Sequence, residues 1–477
     1  MTALKVRHPA HFKKWIVFLC LEGCMQTLLF AQPSFTPQKV FFHGLKRTKT
    51  TIVSRELSFI PGQAILLQDT ADFFKKSCFN IFNTTLFNYC TYRVDSGYTD
   101  STGHSFGQIH FRVSERWYTF PVPIFELADR NFNEWWYDRN ADFNRVNIGL
   151  KLIQKNVRGR NEELILLGQA GFTRRFDFSY FFPYLNHSQT LGLKIRGSYA
   201  NNRDVAYRSS GNRLVFQRDE NSFGRERMYA GFQFTLRRNI YSYHTLDFTY
   251  LYNRISSTIF KLNPAYFAGD RHQRFAEIRY AFIRDRRDFR YFAHRGSLLQ
   301  ISAQRSGFTN AENFHIWAIR ASYAKYWKLN KYWFFATKAD GETSNPAAQP
   351  YYGTRVLGFE NRFVRGYERY VMEGNSNFHI RNSLRFKFLS RKIPAEWVPL
   401  RQFQFIPIDF YLSGIGDLGY VGNPHVLPEN KRLVNTLLAG YGLGLNVVTF
   451  YDLVLRFEYS INIQGDRGLY FSFLSDI

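Results

Sequence analysis

The sequence predicts a membrane-crossing antiparallel β-barrel of about 16 strands, preceded by one small α+β domain. Three observations lead there. Aromatic residues make up 18% of the 477 residues, with 50 Phe and 30 Tyr, yet mean hydropathy is only −0.33. Beyond the N-terminus no apolar run reaches the length of about 20 residues that a membrane helix needs. Over most of the remaining chain, apolar and polar residues alternate with period two. A barrel wall produces this pattern because alternate side chains meet lipid and lumen, while Tyr, Phe and Trp gather at the two interfaces. A large soluble β-protein alternates too, and length separates the two. About 360 residues shared by about 16 strands leaves roughly 22 for each strand with its loop, within the range of bacterial barrels.

Residues 1–31 read as a removable export signal. Lys13 and Lys14 precede the apolar run from Trp15 to Leu21, and a second patch, Leu28 to Ala31, ends where cleavage is expected. Leu21-Glu22-Gly23-Cys24 approaches a lipoprotein box, but the charge of Glu22 argues against it. Beyond the signal only Cys78 and Cys90 remain. In an oxidising compartment they can pair, or they can stay as two buried thiols; spacing alone leaves both readings open.

A formal net charge of +25 would ordinarily raise nucleic acid as a partner. The basic residues are dispersed along the chain with no nucleic-acid motif beside them, so no nucleic-acid partner is expected. In a barrel, Arg or Lys on the lipid face costs roughly 2–4 kcal/mol near the midplane, which drives the excess into loops, turns and lumen. An electropositive lumen or rim attracts anionic lipid headgroups or acidic polypeptide.

Residues 32–117 form the first domain. Val40 to Gly44 is a short β-rich run closed by Gly44. Lys49 to Leu57 carries apolar residues at helical spacing and ends at Pro61-Gly62. Ala71 to Leu86 is a second helix with Phe74, Cys78, Ile81 and Phe82 on one face. Tyr89 to Val94 and Gly107 to Val113 alternate as strands. The order resembles a POTRA domain. Phe42-His43-Gly44-Leu45-Lys46-Arg47-Thr48, the Gly62 turn, Leu86-Phe87 and Val113-Ser114-Glu115-Arg116 carry the resemblance. It implies a periplasmic module that captures extended client segments by adding them to a sheet edge.

Thr119 to Tyr137 reads as a Pro-containing aromatic linker, and residues 118–477 as the barrel domain. In Leu191 to Tyr199, Leu191, Leu193, Ile195 and Tyr199 share one face, with Lys194, Arg196 and Ser198 opposite. Leu246 to Tyr252, His379 to Phe388 and Leu453 to Ile461 alternate likewise, with Val454, Arg456, Glu458, Ser460 and Asn462 facing inward. Local motifs in this domain resemble the BamA/TamA family. They are Asn156-Val157-Arg158-Gly159 with Phe182-Pro183-Tyr184-Leu185, and a mid-barrel motif with Asp285, Asp288 and His294-Arg295-Gly296, where Ala293 replaces the usual Pro. Val364-Arg365-Gly366-Tyr367 matches the tip of a loop that folds into the lumen, and Asp417 and Gly419 match the strand that receives it. Gly468, Phe471 and Phe473 fit the terminal-strand signal, although Leu474-Ser475-Asp476-Ile477 follow where an aromatic usually ends the chain.

The resemblance implies an outer-membrane protein that assists insertion, assembly or translocation of client polypeptides, with bacterial-surface-antigen-type barrel architecture. Periplasmic accessory proteins are further candidate partners. Arg365 places a permanently charged fork in the lumen, where it needs an acidic partner of matching geometry, and Asp417 is the candidate. The resemblance also implies a seam between a first strand near Val146 to Ile153 and the last near Leu469 to Phe473, where a client strand can be templated. The competing reading is a channel or export pore without assembly activity, favoured by the single POTRA-like module. No enzyme activity, catalytic residue, cofactor or metal is expected. Gly103-His104-Ser105-Phe106-Gly107 fits the nucleophile-elbow pattern, but a strand follows it where that chemistry needs a helix. The His residues form no HExxH motif.

Overall fold

A computed structural model describes residues 33–129, 134–219, 222–309, 312, 314–359, 362–394, 405–449 and 453–472. The signal segment, Phe473 and the four residues after it lie outside that range. The chain divides into two compact units, Met1–Gly44, Leu57–Asn80 and Cys90–Val113 in one, Leu45–Glu56, Ile81–Tyr89 and Ser114–Ile477 in the other.

The first unit is built on a four-stranded sheet of β1 (Ser34–His43), β2 (Ile65–Leu66), β3 (Phe87–Thr99) and β4 (Ser105–Glu115), in the order β2-β1-β4-β3. Helix α1 (Thr50–Ser54) falls in the second unit, and α2 (Leu67–Asn83) supplies the apolar stripe over the sheet. Phe74 on α2 meets Phe35, Phe59 and Tyr92 edge-on, with ring centroids 5.3–6.2 Å apart. Such pairs each contribute about 0.5–1.5 kcal/mol beyond the area they bury. Cys78 on α2 and Cys90 on β3 bring their Sγ atoms to 2.6 Å. Gly103 to Gly107 lies on the β3–β4 hairpin, where the Asp100 carboxylate accepts the Thr102 and His104 N–H groups at 2.9 Å.

The second unit contains a 16-stranded antiparallel sheet, the transmembrane β-barrel. Its strands are β5 (Thr119–Leu127), β6 (Val146–Lys155), β7 (Glu163–Gly171), β8 (Thr173–Phe182), β9 (Leu191–Asn202), β12 (Arg225–Leu236), β13 (Ser242–Ile255) and β14 (His272–Asp285). They continue with β15 (Gly296–Ser306), β16 (Ile316–Lys328), β17 (Trp333–Asn345), β20 (Ser376–Pro394), β21 (Phe405–Gly422), β22 (Leu437–Thr449), β23 (Val454–Asn462) and β24 (Arg467–Ser472). Two hairpins lie outside the wall, β10 (Asp204–Ser210) with β11 (Arg213–Arg218), and β18 (Arg355–Leu357) with β19 (Met372–Glu373). The alternation read from sequence appears as burial. On β23, Val454, Arg456, Glu458, Ser460 and Asn462 are buried while Phe457 and Tyr459 are exposed. Among the described residues no helix is long and apolar enough to cross a membrane.

One expectation is corrected. Residues 146–153 belong to the second wall strand, and the first is β5, which sequence reading took for a linker. Pro121 and Pro123 hid it, because proline is excluded from strand interiors except where its nitrogen faces an unpaired edge. β5 supplies such an edge: the order of the sheet ends on β5 and β24, and among the described residues no ladder joins them.

Candidate functional site

The Val364–Tyr367 motif sits between β18 and β19 in the long connection from β17 to β20. Its side chains are buried against the inner wall with Leu357, Tyr370, Met372, Val421 and Leu438, one apolar cluster spanning loop and strands. Two glycines make the approach possible. A Cβ at Gly419 would stand 2.4 Å from Val364 Cγ2, and one at Gly440 would stand 1.8 Å from the Arg365 carbonyl oxygen. Gly366 turns the tip with φ +90, a conformation that glycine adopts without a Cβ penalty. Its carbonyl accepts the Asn462 side-chain amide at 2.8 Å.

Arg365 is 1% exposed and Asp417 2%. The guanidinium grips the carboxylate with two parallel bonds, Nη2 to Oδ1 at 2.6 Å and Nε to Oδ2 at 2.8 Å. The backbone N–H of Arg365 adds a third bond to Oδ2 at 3.1 Å. Nη1 donates to Glu458 at 3.1 Å, and Nη2 also donates to the Asn382 carbonyl at 2.8 Å. A second guanidinium, Arg381, lies 3.6 Å from Asp417 and over the Phe363 ring. Two buried charges attract strongly but lose their water, so the pair holds only if its remaining donors and acceptors are met. Here β20, β21 and β23 all contribute partners, and one arginine ties three wall strands to one loop. Tyr367 continues the attachment by donating to the Ala439 carbonyl at 3.3 Å and bonding Gln464.

The structure thus brings together Val364, Arg365, Gly366, Tyr367, Asp417 and Gly419. It adds Glu458, Arg381, Asn382, Asn462 and Gly440, which sequence reading did not assign to this site. Alternation already placed Glu458 on the inner face; what it does not give is the height along the wall, and so which loop reaches it.

The other motifs lie elsewhere. Asp285, Asp288 and Gly296 frame the turn between β14 and β15. Asp285 pairs with Arg287 at 2.9 Å, and one Asp288 oxygen accepts the N–H groups of Phe289, His294 and Arg295. That arrangement holds a ten-residue connection in one shape. Asn156, fully buried, starts the turn after β6 and bonds Thr48 and the Asn161 N–H. Phe182 to Leu185 closes β8. Gly468 pairs with Ser460, and the Phe471 ring lies 4.8 Å from Phe457, both on β24 at the end of the sheet.

Residues 156–385 match the Omp85 superfamily domain. No curated protein matches the chain. Among solved structures, BamA from Haemophilus ducreyi lacking POTRA domains 1-3 is similar with TM-score 0.51 at 16% identity, over 92% of this chain and 84% of that one. CdiB from Acinetobacter baumannii gives TM-score 0.49 at 12% identity over 91% and 73% of the two chains. CdiB from Escherichia coli gives 0.49 at 11% over 98% and 99%. Residues 156–385 thus carry an Omp85 superfamily domain, and the 16-stranded sheet that contains it has the outer-membrane β-barrel fold seen in BamA.

Proposed function

We propose that the chain assists the insertion or assembly of client polypeptides at the outer membrane, with residues 32–117 as a periplasmic client-capturing domain and 118–477 as the barrel that receives the client. The observation that carries this reading is the pair of strands, β5 and β24, that end the hydrogen-bonded order of a membrane sheet. A bare strand edge in lipid leaves N–H and C=O groups unmet, each at a cost of several kcal/mol, and another strand relieves it. The Arg365 attachment keeps the β20–β23 wall in register while the seam exchanges partners.

The alternative reading is a channel or export pore without assembly activity. Deletion of residues 40–116 separates the two. Conductance of the purified barrel should persist in both cases, whereas an assembly factor should lose outer-membrane clients in a proteome comparison after depletion. An unchanged client set in the deletion strain would refute the assembly reading.

A further inference from the structure

On the outer face of the wall, the strands β6, β7 and β8 carry rows of unequal size. Ile148 and Leu150 on β6 and Phe176 and Phe178 on β8 are all exposed there. Between them on β7, Ala170 pairs with Ile148, and Gly168 pairs with Leu150 on one side and Phe176 on the other. A Cβ added at Gly168 would meet only the Phe176 ring, at 3.9 Å. Small residues flanked by bulky ones leave a shallow trough down the lipid-facing side of the wall.

Where β6 begins and β7 passes into β8, a groove of about 510 Å³ opens at the end of this trough, lined by Ala170, Ile148 and Phe143 together with Arg174, Arg203 and Arg218. Alternation along β8 puts Arg174 on the same face as Phe176 and Phe178. Its guanidinium lies 5.6 Å from the centre of the Phe223 ring, a contact that steadies a cation without neutralising it. Among the described residues no carboxylate lies within 4 Å of Arg174 or Arg203, and Asp204, the acidic residue of the lining, is held by Arg145 at 2.5 Å. Asn201, also in the lining, is only 4% exposed. Its Nδ2 donates to the Tyr199 hydroxyl at 3.0 Å, and its Oδ1 has no partner among the described residues.

Arginine on the lipid face costs roughly 2–4 kcal/mol at the midplane and about 0–1 near the interface, so an unneutralised Arg174 belongs at the level of the headgroups. We propose that this groove binds a lipid whose headgroup carries a phosphomonoester and free hydroxyls, with its acyl chains lying in the β7 trough. A phosphomonoester brings a charge of about −1.5 to −2 and three acceptor oxygens. Guanidinium forks bind such oxygens in pairs, which a phosphodiester with two free oxygens and one charge satisfies less well. The Asn201 Oδ1 then accepts a headgroup hydroxyl. The inference rests on the reading that residues 32–117 are periplasmic, which turns this end of β6 and β8 towards the cell exterior and its lipid leaflet.

The test uses the full chain folded in detergent micelles, with lipid retention read by native mass spectrometry. The probes are lipid A carrying two phosphates, the same lipid with its phosphates removed, and inorganic phosphate as competitor. The phosphorylated lipid should be retained at least tenfold better than the dephosphorylated one. Arg174→Gln with Arg203→Gln should lower its retention at least tenfold, and Ala170→Leu, which fills the trough, should lower it severalfold. Arg305→Gln, on β15 at the same end of the wall and over the Trp317 ring, should change nothing. Equal retention by the double variant, or an equal loss with Arg305→Gln, in barrels shown to be folded by heat-modifiable mobility, would overturn the site. Displacement by an equimolar amount of inorganic phosphate would overturn the lipid as its occupant. Tyr137→Cys, in a chain with Cys78 and Cys90 changed to serine, reports the orientation and should react with a membrane-impermeant maleimide in intact cells. Reaction only after permeabilisation would overturn the periplasmic reading, and with it the choice of leaflet, without touching the lipid contacts.

Discussion

The wall from β20 to β23 and the seam between β5 and β24 belong to one sheet and follow one pattern of alternation, yet they are held by opposite means. At the first, a loop tip is fixed by a bidentate ion pair, a second carboxylate, two backbone bonds and a fitted apolar cluster. At the second, the described residues supply no ladder, and one lip has lost donors to proline. A closed wall has no edges to manage; a wall that admits another strand must keep one. The fixed contacts gather on β20, β21 and β23, and β23 is the direct neighbour of the strand β24 that ends the sheet.

The largest effect should come from breaking the ion pair on one side. Asp417→Ala strands Arg365 and Arg381, and removing one member of a buried pair costs roughly 3–5 kcal/mol. Urea unfolding of the barrel in micelles should shift accordingly. A simple exchange, Arg365→Asp with Asp417→Arg, should recover little, because the new carboxylate faces Glu458. Adding Glu458→Gln should recover more, and equal stability of the two designs would show that Glu458 is not a true partner.

Next in size is Gly419→Ala. Its Cβ would meet Val364 Cγ2 at 2.4 Å, and overpacking of this kind costs about 1–3 kcal/mol. Val364→Ala should be mildly destabilising alone and should restore part of the loss in the double variant, measured as a double-mutant cycle. Additive losses would mean that the loop does not press on β21 there. Asp288→Ala removes one acceptor from three N–H groups in the β14–β15 turn; a loss of about 1–2 kcal/mol is expected, without effect on client capture at the seam.

The smallest effect concerns the N-terminal unit. With their sulfur atoms 2.6 Å apart, Cys78 and Cys90 should resist alkylation when the chain is taken from an oxidising compartment and react after reduction. Free reactivity before reduction would favour two independent thiols. Cys78→Ser with Cys90→Ser should leave the barrel's unfolding curve unchanged.

Much of this was legible in the sequence, and the exceptions share a physical cause. Asp417 and Gly419 could be named together because their strand motif resembles the one that receives the Arg365 loop, and a charged fork in the lumen needs a carboxylate of matching geometry. Alternation gave the inward face of β23, including Glu458, but period two carries no information about which loop lies opposite. β5 was missed because Pro121 and Pro123 read as linker residues; only the register with β6 reveals that both nitrogens point away from the ladder.

The contrast between a fixed wall and a working seam is tested most directly by stapling each in turn, in a chain with Cys78 and Cys90 changed to serine. One variant joins Val364→Cys to Gly419→Cys by a disulfide at the loop tip. The other joins Phe125→Cys to Leu469→Cys with a cleavable bifunctional maleimide across the seam. After depletion of the native chain, the loop-tip staple should support a normal outer-membrane client set, and the seam staple should abolish it until the linker is cleaved. A normal client set with the seam held shut, or loss of clients with the loop tip held in place, would contradict the account.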